Sequence, residues 1–191
     1  MKKTVIAICL SLVTLFSAQS QVFNGVKIDG NVQTVINQFK EKGFILNTPT
    51  GALDNIKTMK GMLSGQLVEL VIISTPKTKL AAKVVVYLPE QKSWYSLKSS
   101  YNKYLELLTQ KYGNPSQTIE TWTNPYYEGD GYEIQALENE KAIYKTFWNR
   151  INNLNILLEI SKYKEIHIAY ENDKNMDLAM AEKNEVDSTI F

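Results

Sequence analysis

The chain has 191 residues, of which 44% are hydrophobic, 21% charged and 10% aromatic, with 21 basic side chains against 20 acidic ones. Hydrophobic content near the globular average, with balanced charge of both signs, excludes a disordered or fibrous chain and one that binds nucleic acid through a basic surface. One folded domain is expected.

In chain order the first feature is a leader. Lys2 and Lys3 precede an apolar run from Val5 to Phe16, and the small-residue patch Ser17-Ala18-Gln19-Ser20 follows. This is the pattern of a signal peptide over 1–20, cut between Ser20 and Gln21, which would send the protein to the periplasm or the medium. The run is too short for a membrane span, which takes about 20 residues. Cleavage would remove both lysines and the single cysteine, Cys9, leaving 19 basic against 20 acidic side chains in 21–191. The mature chain then has no thiol for catalysis or metal binding and no disulfide. Its stability must come from its core, and a chain of this size can bury roughly 70% of its unfolded surface.

A short strand is expected around 26–28, followed by a turn at Asp29-Gly30. Val32, Val35, Ile36 and Phe39 then recur at helical spacing until Gly43. After a strand at 44–46 and the break Thr48-Pro49-Thr50-Gly51, β-rich runs near 57–64, 66–75 and 79–88 read as an antiparallel meander. Ser93 is a candidate N-cap for a long helix with Leu97, Tyr101, Tyr104, Leu105, Leu108 and Tyr112 on one stripe, closed by Gly113. Further strands are expected at 116–123, 142–149, 154–163 and 165–171. A polar, aromatic insertion lies at 124–137, and a terminal helix is expected at about 176–186.

Lys42-Gly43 and Tyr112-Gly113 each close a helix, and each precedes four candidate strands. Matching Tyr87 with Tyr170 extends the parallel to the last strands. The expected fold is α+β: two tandem α-β4 repeats, about 26–89 and about 93–171. They would form a mainly antiparallel sheet of seven or eight strands with helices on one face.

The stretches KIDG at 27–30, EKGF at 41–44 and KYGNP at 111–115, with the Trp94, Leu97, Tyr101 spacing, resemble small exported proteins of unknown function from Gram-negative gut bacteria. The paired α-β4 layout is similar to that of secreted β-lactamase-inhibitor-like proteins, which implies partner binding on the concave face of the sheet. The likeness is topological, and no inhibitory contact residue carries over.

Recognised catalytic patterns are missing. His167 is the only histidine and alternates with inward-facing Ile166, Ile168 and Tyr170, so it points to the other face as a surface or groove residue. No nucleophile elbow accompanies it, and catalytic zinc takes more than one such ligand. Asp173, Asn175 and Asp177 open a calcium-loop spacing that fails at Leu178 and Asn184, where glycine and glutamate are required, so Asp173 reads as a turn residue before the last helix. Phosphate-cradling glycine loops are absent. Paired-carboxylate hydrolysis would need Glu128, Glu133, Glu138 and Glu159 to converge, and nothing in their spacing requires it. No cofactor is expected.

Two features stand above this background. Trp122, Tyr126, Tyr127 and Tyr132 cluster in and beside the insertion, either as a contact platform or as rings buried by their own loop. If Val84, Val86 and Leu88 pack under the helices, then Lys83, Val85 and Tyr87 face away, joined by Val71 and Ile73 or Phe147. That would form an apolar strip among charges, and such strips mark partner sites. The expected function is a non-catalytic exported binding module for a protein or envelope component. A glycan or small-ligand binder is the alternative, and a carboxylate hydrolase comes third.

Overall fold

A computed structural model describes residues 22–151 and 153–188. The expected leader over 1–20 lies outside these residues. A two-stranded hairpin, β1 (Val22–Phe23) with β2 (Val26–Lys27), leads into helix α1 (Val32–Glu41). Asn31 caps that helix by accepting from the Gln33 amide at 2.8 Å. Four strands follow: β3 (Ile45–Leu46), β4 (Ile56–Leu63), β5 (Gln66–Ser74) and β6 (Ala81–Tyr87). Helix α2 (Trp94–Tyr112) starts at Ser93, whose hydroxyl accepts from the Ser96 amide at 3.1 Å, and ends at Gly113 with φ 84°. That left-handed conformation favours glycine and makes it the natural stop.

The second set comprises β7 (Gln117–Trp122), a short helix α3 (Glu133–Glu138), β8 (Ala142–Ile151), β9 (Leu154–Ile160) and β10 (Ile166–Asn172), and helix α4 (Asp173–Ser188) closes the described chain. The main sheet has eight strands, all antiparallel, in the order β3-β4-β5-β6-β10-β9-β8-β7. Each half thus runs helix then four strands, and the last strands of the two halves meet at the centre.

Alternation decides the layers. Val84, Val86, Leu70, Ile72, Ile156, Leu158, Ile168 and Tyr170 join one core cluster with Val35, Ile36 and Phe39 of α1 and Leu97, Tyr101, Tyr104, Leu108 and Tyr112 of α2. Burying each such side chain stabilises the fold by roughly 1.5–3 kcal/mol relative to leaving it in water. The opposite face carries no residue of this cluster over the central strands. Helix α4 docks at one end of the sheet, where Glu182 accepts from the amides of Lys77 and Thr78 in the β5–β6 turn at 2.6 and 3.2 Å.

Three expectations need correction. The insertion is not wholly irregular, since Glu133–Glu138 forms α3 with Ala136 and Leu137 buried. Asp173 is the first residue of α4 rather than a turn residue ahead of it, so that helix starts earlier than about 176. Tyr87 and Tyr170 are not equivalent: Tyr87 pairs with His167 on the face away from the core, whereas Tyr170 pairs with Val84 and is buried in it. Along their paired stretch the core residues of β6 and β10 are all even-numbered, so the odd offset of 83 from Tyr87 to Tyr170 sets a residue of one face against a residue of the other.

Candidate functional site

The candidate site is the sheet face that the helices leave uncovered, which we call the open face. Register sets its rows, because paired residues on antiparallel neighbours share a face. One row runs Lys60, Glu69, Tyr87, His167, Glu159, Lys145 across six strands. Its charges are matched in place, with Lys60 3.3 Å from Glu69 and Lys145 3.0 Å from Glu159. The next row is apolar: Val71, Val85, Ala169, Leu157 and Phe147. Beyond it, Lys83 pairs with Glu171 at 3.2 Å.

The sequence expectation for Lys83, Val85, Tyr87 and Val71 therefore holds as to face. The strip is less exposed than expected at its centre, where Val85 is 8% and Ala169 4% exposed. Val71, Leu157 and Phe147 are half-buried. Freely exposed aliphatic surface lies on the other side of the charged row, at Leu67 (60%), Met62 (59%) and Ile143 (40%). Met62 pairs with Leu67.

At the row's centre the His167 ring lies between two carboxylates and against one aromatic. Nε2 is 2.9 Å from Glu165 and Nδ1 is 3.4 Å from Glu159. The Tyr87 ring meets the imidazole edge to face at 4.4 Å between centroids. Burial works to lower the basicity of His167, but the two carboxylates outweigh it and hold its proton affinity above the ordinary histidine value. Glu159 is held below the ordinary carboxylate value by its bond to His167 and, against the opposing effect of burial, by Lys145. The Tyr87 hydroxyl is pushed up by burial and by the carboxylates of Glu165, Glu159 and Glu69.

Two clefts flank this centre. One, of about 340 Å³, has Ile143, Lys145, Glu159, Ser161, Tyr163 and His167 among its walls. The other, of about 440 Å³, is walled by Lys60, Leu67, Glu69, Tyr87, Pro89 and Glu165. Each thus contains an exposed aliphatic side chain beside a charge pair. Leu67 on β5 and Ile143 on β8 stand four strand spacings apart, about 19 Å.

The aromatic insertion divides. Trp122 and Tyr126 pack against the core, while Tyr127 (63%) and Tyr132 (59%) stand in solvent. Trp122 donates through Nε1 to the Tyr144 hydroxyl at 3.3 Å and meets Trp94 edge to face at 5.6 Å. Tyr144 in turn donates to Glu128 at 3.1 Å, and the Lys98 ammonium sits 4.1 Å above the Tyr144 ring and 3.1 Å from Glu120. Here Lys98 fills its own aromatic enclosure. Asp130 accepts from the backbone amides of both exposed tyrosines, Tyr127 at 3.0 Å and Tyr132 at 2.7 Å, so the loop is braced from within.

The four glutamates considered for hydrolysis do not gather. Glu128 reaches Tyr144 and Lys98 on the helix side, and Glu133 accepts from the Gly129 amide. Glu138 pairs with Lys164, and Glu159 lies on the open face. Among the described residues no group of three or more histidine, cysteine, aspartate or glutamate side chains is arranged to hold a metal ion. Asn175, from the calcium-like spacing, is buried and donates to the Ala81 carbonyl at 2.7 Å.

His167, Glu159 and Glu165 come together only in the fold. The sequence carries a signal for it, because a hairpin that pairs Ile160 with Ile166 necessarily sets Glu159 opposite His167. No protein-family model matches this chain, and none of the curated proteins or solved structures compared with it is similar.

Proposed function

We propose that this protein is an exported, non-catalytic binding module that takes a protein partner on the open face of its sheet. The observation that carries the reading is the pair of clefts astride Tyr87 and His167, each with an exposed aliphatic side chain, Leu67 or Ile143, beside a neutralised charge pair. Exposed apolar side chains among polar neighbours on an uncovered face are the usual mark of a protein contact. The face charges are already matched, so the partner need not be strongly charged. A polypeptide with two apolar anchors about 19 Å apart would fill both clefts at once. Export rests on the leader pattern, and no helix among the described residues is long and apolar enough to cross a membrane.

Capture from envelope and culture-medium extracts with tagged residues 21–191 tests this, run beside Leu67→Lys and Ile143→Lys. Val85→Glu is a poor probe, because it would bury a charge. A band lost with either variant while the thermal midpoint holds within a few degrees supports the reading. The same bands with all three proteins refute it.

A glycan reading is favoured by one observation, the exposed Tyr127 and Tyr132 held by a shared Asp130. It predicts saturable sugar binding that Tyr127→Ala abolishes. With Trp122 and Tyr126 committed to packing, the platform has two rings rather than four.

A further inference from the structure

We infer that His167 makes docking on the open face depend on acidity, with the partner held when the imidazole carries both protons and released when it loses one. The inference rests on the reading of this face as the partner surface and adds its regulation.

The geometry is a count of donors. Four groups surround His167: Glu159 on β9, the Tyr87 ring on β6, Ala169 on its own strand, and Glu165 in the turn just before that strand. Behind these stand Lys145 on β8, bonded to Glu159, and Glu69 on β5, bonded to Lys60. Nearby Lys164 is engaged by Glu90 and Glu138 at 3.0 and 3.3 Å. The two carboxylates that touch the ring are therefore served by two cations, Lys145 and the imidazolium. An imidazolium donates from both nitrogens, so both acids lie bonded on the sheet.

A neutral ring has one N–H. The shorter contact, to Glu165 at 2.9 Å, keeps it, since His167 is the side chain that bonds the Glu165 carboxylate. Nδ1 then turns a lone pair toward Glu159 at 3.4 Å, and that carboxylate shifts to Lys145. Glu159, Lys145 and His167 are walls of one cleft, and Glu165 and Tyr87 are walls of the other. A single proton thus alters the shape of one cleft and leaves the centre of the face one negative charge in excess. A partner docking there would have to cover two acids with one cation, and uncompensated burial of a charge is strongly unfavourable. By linkage, docking raises the proton affinity of His167, and rising pH weakens docking.

Because the chain has one histidine, its ring proton resonances report this group alone. In the isolated protein the titration midpoint should lie above about 6.5, the ordinary histidine value. It should fall in both Glu159→Gln and Glu165→Gln, and the amides of Lys145, Glu159 and Tyr87 should shift with the same midpoint. Those shifts should vanish in His167→Gln. A midpoint at or below the ordinary value, or amide shifts confined to residues next to His167, overturns the inference without reference to any partner.

In the capture experiment, the band lost with Leu67→Lys should weaken about tenfold from pH 6 to pH 8.5 with the wild-type chain, and should not respond to pH with His167→Gln. Equal capture at both values overturns the inference. If no band depends on Leu67 or Ile143, the partner reading fails instead, and the resonance titration still decides whether His167 controls the face.

Discussion

Tyr101 of α2 and Thr146 of β8 meet hydroxyl to hydroxyl at 2.6 Å beneath the helix, both fully buried. Thr146 also lies 3.3 Å from the Thr118 hydroxyl, which carries the bond toward the sheet edge. The contact gives α2 a buried polar seat on the sheet, in addition to the more exposed bond of Lys98 to Glu120. Tyr101→Phe should cost about 1–3 kcal/mol, because it strips a partner from a buried hydroxyl, and Thr146→Val should cost a similar amount. The double variant should cost clearly less than their sum, since neither hydroxyl then remains unpaired. Denaturant midpoints at unchanged slope would measure the coupling, and strict additivity would show that the bond does not matter.

Gly61 sits on β4 under the Phe44 ring, and a Cβ added there would lie 2.5 Å from the ring carbon Cδ1 and 2.6 Å from Cγ. Phe44 is itself buried and packs edge to face on Phe39 of α1 at 5.6 Å, so the ring has no free space to move into. Gly61→Ala should destabilise the fold by about 1–3 kcal/mol, the usual cost of overpacking. Adding Phe44→Leu should recover part of the loss, as read in thermal midpoints of the three variants.

Much of the architecture was legible because its periods are clean. The stripe from Leu97 to Tyr112 drew α2, and the alternation about Val84 and Val86 assigned the faces of β6 correctly. What escaped was set by partners distant in sequence. Helix α3 lies in a stretch too polar to show a stripe, and what seats it on the core is the buried pair Ala136 and Leu137 with partly buried Ile134. Tyr87 and Tyr170 look alike in sequence, and only the register between β6 and β10 puts them on opposite faces. The site suffered for the same reason. In the sequence His167 stands as a lone histidine, although its chemistry comes from Glu159 across a hairpin, from Glu165 two residues back and from Tyr87 on a strand 80 residues away in sequence.

The first turn of α4 is held by Asn175, which donates to the Ala81 carbonyl at 2.7 Å, and the later turns hang on Glu182. Its carboxylate accepts from the Lys77 amide at 2.6 Å and from the Thr78 hydroxyl at 2.6 Å, while neighbouring Lys77 pairs its ammonium with Glu185 at 2.7 Å. Burial alone would raise the Glu182 acid, but these donors outweigh it and hold the group below its ordinary value. A lowered carboxylate stabilises above its unfolded value and loses that contribution as pH falls through the folded one. Acid should therefore release the later turns of α4 first, and Glu182→Gln should do so at neutral pH. Amide exchange across 178–184 would rise in both cases, with β9 and β10 remaining protected. Uniform loss of protection would show that α4 is part of the cooperative core.

The stability of the whole domain should depend on pH through His167 and Glu159, with opposite signs. His167 is raised in the folded state, so its contribution is complete below the unfolded value near 6.5 and disappears as pH rises through the folded value. Glu159 is lowered, so its contribution is complete above the unfolded value near 4.3 and disappears as pH falls through the folded one. Stability should therefore be greatest between these limits and decline on both sides. His167→Gln should flatten the alkaline decline outright. It should also weaken the acid one, because the bond from His167 is the largest influence holding Glu159 down. Lys145→Met should act on the acid side alone, removing the second cation from Glu159 while leaving the imidazole between its two carboxylates. Urea midpoints of the three proteins from about pH 3 to about pH 9 would separate the two limbs, and an alkaline limb that survives in His167→Gln would assign it to another group.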